Sequence, residues 1–184
     1  MRLQANILGM IILVGIFIGL LGFAYQGVMP VIQKNEAVGK FQQAKAWVQE
    51  AAKGMVEIAN EGGKRDWFFS TGSLRLSNCS TDNCIFLIIP SQVQINEIEA
   101  KAYFPEIQDE VTPGRYGEDD PWVFLYEPEG MTLKLCFRKL SAQDRNYSIA
   151  LLGEEKSGKT LKAEFWNVTQ EGGEYITYLK VEIE

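Results

Sequence analysis

The sequence predicts an α+β protein: a long N-terminal α-helix, hydrophobic and then amphipathic, followed by an antiparallel, Ig-like β-sandwich. Three observations carry that prediction. Residues 3–33 contain no charged side chain. From Lys34 to Ala59, apolar residues recur at steps of three and four, the period of a helix with one buried face. After Gly63 the period changes to two, and Gly, Pro, Asn and Asp punctuate the short apolar runs. The expected division is a helix over residues 1–60 and a β-rich head over residues 61–184.

The first half of the helix, residues 7–25, is apolar all round and contains Gly9, Gly15, Gly19 and Gly22. A helix hydrophobic on every face is surrounded by lipid or by protein. It is longer than the 7–15-residue core of a cleaved secretory signal, and with its apolar continuation exceeds the ~20 residues that cross a bilayer. Gly15 and Gly19 have the small-xxx-small spacing that lets helix backbones approach in apolar surroundings. Pro30 removes one helical hydrogen bond, and a kink is expected there. Arg2 marks the cytoplasmic side by the positive-inside rule, which places the head outside.

In the second half, Phe41, Ala44, Val48, Ala51, Met55 and Ile58 form a stripe expected to pack on the head. Asn60-Glu61-Gly62-Gly63 then stops the helix. A continuous helix of this length would be on the order of 85 Å long at 1.5 Å per residue, too long for one small domain to bury. Strands are expected at 67–76, 84–89, 122–126, 131–137, 147–152, 161–168 and 175–183, and a short helix around Ile95–Tyr103. Trp166, Ile176 and Tyr178 fall on polar-phase positions beside Lys162, Glu164 and Lys180, a candidate contact patch.

Charge and composition exclude several functions. Residues 61–184 hold 13 Lys/Arg and 21 Asp/Glu, net −8, against +2 for residues 1–60. An acidic head is a poor partner for nucleic acid, whose phosphates require clustered cations. With no His in the chain, His-dependent triads and His-ligated metals are excluded. No arrangement of Ser, Thr and Lys resembles a nucleophile with its base, so no enzyme is expected. No cofactor is expected either. The run from Gly153 to Thr160 has phosphate-loop spacing, yet the residues after Thr160 alternate as a strand and Glu154-Glu155 would repel phosphate; a hairpin turn is expected. Gly117-Glu118-Asp119-Asp120 reads as a solvated turn rather than a calcium loop.

Cys79 and Cys84 enclose four residues, a loop that a disulfide can close, and such a bridge implies an oxidising location. Cys79–Cys136 or Cys84–Cys136 would instead tie distant strands together. The local pair is preferred because Cys136 falls on the outward phase of its strand. Asn78, Asn146 and Asn167 begin N-glycosylation sequons, all in the part placed outside.

A short leader, an apolar helix running without break into an amphipathic one, and a C-terminal β-domain together resemble the archaeal type IV pilin-like proteins, which include adhesion pilins and archaellins. The resemblance covers the whole architecture. It is most specific in Met29-Pro30-Val31-Ile32-Gln33-Lys34 and in Glu57-Ile58-Ala59-Asn60-Glu61-Gly62-Gly63. Bacterial relatives carry a Glu at the fifth mature position, whereas no acid precedes Glu36 here. The resemblance implies a homo-oligomeric filament subunit, held in the membrane before assembly. Ile7, Ile11, Ile12, Gly15, Ile16, Gly19, Leu20 and Phe23 would form the filament core, and heads bearing N-glycans would form an adhesive outer sheath. The competing expectation is a single-pass membrane anchor carrying an extracellular β-domain that acts as a receptor or envelope-binding module.

Overall fold

The computed structural model describes residues 2–76, 83–143 and 145–184, with side chains of the first helix described from Gly9 onward. Helix α1 (Arg2–Glu61) continues through Pro30, where neighbouring turns hold the segment that loses one bond. It ends where the sequence predicts. Gly62 takes φ +80° and its N–H bonds to the Ile58 carbonyl at 2.9 Å, the left-handed cap that favours glycine.

The head contains β1 (Lys64–Phe68), β2 (Ser73–Leu76), β3 (Cys84–Ile88), α2 (Glu97–Tyr103), β4 (Ile107–Gln108), β5 (Gly114–Arg115) and β6 (Trp122–Glu127). It continues with β7 (Thr132–Phe137), β8 (Leu140–Ser141), β9 (Asn146–Leu152), β10 (Ser157–Gly158), β11 (Thr160–Glu171) and β12 (Glu174–Ile183). The strand expected over 67–76 is broken between β1 and β2. There Gly72 passes the Ile88 carbonyl so closely that a Cβ would lie 2.1 Å from its oxygen. Helix α2 starts at Asn96, whose side chain accepts the Glu99 amide at 2.9 Å.

The α+β class holds, but the sheets are mixed rather than antiparallel. One has the order β1-β11-β12-β9-β8-β5 and the other β10-β2-β3-β7-β6-β4. Within them β12 runs parallel to β9, β5 to β8 and β4 to β6. Alternation in the sequence fixes which face of a strand is buried and says nothing of its neighbour's direction.

Helix α1 lies against β1, β11, β12 and β7, and its stripe completes the core. Phe41, Ala44, Val48, Ala51, Met55 and Ile58 are all buried, joined by Ala37, Ala52 and Ala59. Phe41 meets Tyr126 edge to face at 5.4 Å between ring centroids. The Tyr126 hydroxyl donates to the Ile95 carbonyl at 2.7 Å, and burial, with a smaller push from Glu99, raises its pKa to about 12. Each large stripe residue contributes roughly 1.5–3 kcal/mol through burial. The core therefore takes in the helix from Ala37 on, and the rod is an integral element of the head.

Candidate functional site: an uncovered apolar helix

The most unusual surface of this chain is the first half of α1. Fifteen large apolar side chains between Met10 and Ile32 are exposed, from Val14 at 49% to Phe23 at 81%. Those values arise on every face of the helix, and among the described residues of this stretch only Met29, one turn before the first contact with the head, is half-buried. The expected core residues Ile11, Ile12, Ile16, Leu20 and Phe23 all lie in this exposed set. A Cβ added at Gly15 or Gly19 would meet nothing within 4 Å. Ile7 belongs to α1 but precedes the described side chains. By length and composition the helix is able to cross a membrane.

The surface changes character at one place. Gln33 donates to Gln92 at 3.0 Å and Lys34 to Glu99 at 2.6 Å, so the rod turns polar where it first touches the head. Farther along, Lys45 donates to the Tyr103 carbonyl and sits 5.0 Å from the Phe104 ring centroid, and Trp47 donates to the Phe68 carbonyl. The lysine beside Glu99 holds its carboxyl below the usual value, and the pairing raises the Lys34 ammonium. These contacts fix the head along the helix with no linker between its apolar half and the domain.

The cysteine expectation is corrected. Cys84 is bridged to Cys136, not to Cys79. Cys84 and Cys136 face each other across the β3–β7 ladder, with Cα atoms 4.1 Å apart. Cys136 does point away from the main core, as its phase requires. It is nevertheless fully buried, in a small second cluster with Cys84 and Val123 under Phe86 and Leu125. Two-residue periodicity placed it on the outer face without showing that this face has its own cover. Cys79 and Asn78 lie outside the described residues.

Of the other sequons, Asn146 opens β9 and is half-buried, while Asn167 is exposed on β11 just after a bulge. The segment 153–160 is no phosphate cradle: β10 and the start of β11 occupy it, and no helix comes after it. Nor is it a hairpin turn, because it leaves the first sheet after β9, adds β10 to the edge of the second, and returns to the first as β11. In the acidic turn, Asp119 accepts the Arg115 amide at 2.7 Å and Glu118 pairs with the Arg115 guanidinium at 2.8 Å, so both acids serve the turn itself.

Comparison with family models, with curated proteins and with solved structures finds no match.

The functional reading therefore rests on the surface alone. A stripe of exposed apolar residues this long is stable in water only when something apolar replaces the solvent. Chemically it offers association, by burial and close helix approach, and no bond-making group.

Proposed function

We propose that this chain is a structural subunit of an extracellular helical filament of the archaeal type IV pilus kind, acting in adhesion. The apolar halves of α1 bundle into the core and the β-domains form the sheath. Before assembly, the same helix holds the subunit in the cytoplasmic membrane. The observation that carries this reading is the uninterrupted α1, bare for its first half and built into the head core for its second.

Two physical points favour it over a tethered receptor. The uncharged run of residues 3–33 is on the order of 46 Å long as helix, while a bilayer's hydrocarbon core is about 30 Å thick. The surplus next to the head, around Val28, Val31 and Ile32, extends past the hydrocarbon core when the helix stands upright, and only tilting brings it into lipid. A helical bundle of identical chains covers the whole length. Second, domains joined for independent movement are separated by flexible linkers, whereas here head and rod share a core. Identical chains using heterologous contacts that do not close make an open helix, the symmetry a filament requires.

The test is removal of detergent from purified full-length protein, followed by electron microscopy. Helical filaments are expected, and Gly15→Lys or Ile12→Lys should abolish them while leaving the head's thermal melt unchanged. An unpaired charge in a dry bundle costs several kcal/mol. Dispersed protein in bilayers would support the anchored single-pass reading instead, and filaments that tolerate either lysine would overturn the buried helix bundle as their core.

A further inference from the structure

We propose that a groove on the outer corner of the head is a binding site for a neutral saccharide, with Trp166 as its stacking platform. The parallel pairing of β12 with β9 ends at Lys180 and Leu152, but β12 continues to Ile183. Beyond Leu152 the chain turns away toward the other sheet, where the Leu76 amide bonds to the Lys156 carbonyl. Gly153 makes the departure possible, since a Cβ there would lie 2.3 Å from the Val181 carbonyl oxygen. The corner left behind is an open groove of about 590 Å³, within the size range of small-ligand sites.

Its lining has a specific chemistry. Trp166 stands on the wall, 59% exposed, with Lys180 Nζ 6.0 Å from its ring centroid. Glu154, Lys156 and Glu182 complete the rim. Among the described residues none of these four charged groups is in an ion pair, whereas the nearby Lys162 and Glu184 hold each other at 2.6 Å. The groove thus presents two carboxylates that only accept hydrogen bonds and two ammonium groups that only donate them.

That combination selects among ligands. A polyanion is attracted by two lysines and repelled by two glutamates, so phosphate chains and acidic polymers gain little. An apolar ligand would desolvate four charges without pairing them. A sugar ring satisfies every part: its hydroxyls both donate and accept, and its apolar C–H face lies on an indole. The site belongs to a dispersed chain as much as to an assembled one, and so stands apart from the filament reading.

Saturation-transfer NMR on full-length protein in phosphocholine micelles tests this, since a maltoside detergent would compete. The probes are maltotetraose, cellotetraose and mannotriose, with a heparin tetrasaccharide as the polyanion. Transfer to at least one neutral probe is expected, weakened about tenfold or more by Trp166→Ala and reduced by Glu182→Gln. Tyr116→Ala, which removes a different exposed aromatic, should leave it intact. An unchanged thermal melt of Trp166→Ala shows that the fold survives. Absence of transfer to all three neutral probes, transfer indifferent to Trp166, or preference for the heparin fragment would each overturn the proposal. None of these outcomes bears on whether filaments form.

Discussion

The Asn83 side-chain oxygen accepts the Leu151 amide at 2.9 Å, while its nitrogen donates to the Ile149 carbonyl at 2.7 Å and the Phe137 carbonyl at 3.3 Å. One amide thereby ties β9 of the first sheet to the end of β7 in the second. The backbone of Asn83 is left-handed, φ +47°, a conformation asparagine tolerates better than most residues.

Replacing Asn83 separates these two contributions. Asn83→Gly keeps the backbone at ease and loses the bridge; Asn83→Ala loses the bridge and adds strain. Both should destabilise, by about 1–3 kcal/mol for stranded polar groups, with alanine the worse by about 1 kcal/mol. Chemical denaturation of the three proteins measures the order. Equal stability of the glycine variant and the parent would mean that the amide bridge contributes nothing net.

Gly54 is a point of close approach between rod and head. A methyl group there would lie 2.5 Å from the Trp67 ring, which is itself buried and cannot yield. Gly54→Ala should therefore destabilise by about 1–3 kcal/mol through overpacking, against the ~1 kcal/mol that alanine normally gains in a helix. Gly39→Ala, with nothing within 4 Å, should show that gain undiminished. Opposite signs for two identical substitutions in one helix are the expected result of paired thermal melts.

Non-reducing peptide mapping should recover a peptide joining Cys84 to Cys136. Breaking the bridge with Cys136→Ser should cost about 2–4 kcal/mol, since it closes a loop with a sequence separation of 52. A recovered link through Cys79 would contradict the cross-strand assignment.

Stability should form a plateau between about pH 5 and pH 10. Glu99, Asp109, Glu174 and Glu184 all sit below their ordinary values because lysines hydrogen-bond to their carboxylates. A depressed carboxyl contributes stability above its ordinary value of 4.5, or 3.8 for Asp109, and loses it as pH falls through the lowered one. On the alkaline side, Lys34, Lys101 and Lys162 are raised above 10.5 by their partners, and Tyr126 is raised to about 12 chiefly by burial. Their contributions are complete below the ordinary values and vanish as pH rises through the folded ones. The ion pairs are exposed, so each limb should be shallow. Glu99→Gln should flatten part of the acid limb in thermal melts recorded against pH; an unaltered limb would show that the Lys34 pair adds nothing.

Much of the architecture is legible in order along the chain. A charge-free run, a stripe with steps of three and four, and a glycine pair give the helix, its buried face and its end, because each depends on residues within a few positions of one another. The longer strands are legible for the same reason, and so is Cys136's place on the outer face of β7. Of the polar-phase patch Trp166, Ile176 and Tyr178, only Trp166 is well exposed while the other two are half-buried, and the groove beside Trp166 is not legible, since Glu154 and Lys156 come from a separate crossover segment.

What the sequence by itself determined is therefore local: periodicity selects helix or strand and decides which side chains turn inward. Tertiary structure alone decided strand direction and order, the cover over Cys136 and its partner, and the bridge made by Asn83. Each of these depends on which distant segments become neighbours, and that comes from packing two sheets and a helix around one core. No single stretch of sequence carries that information.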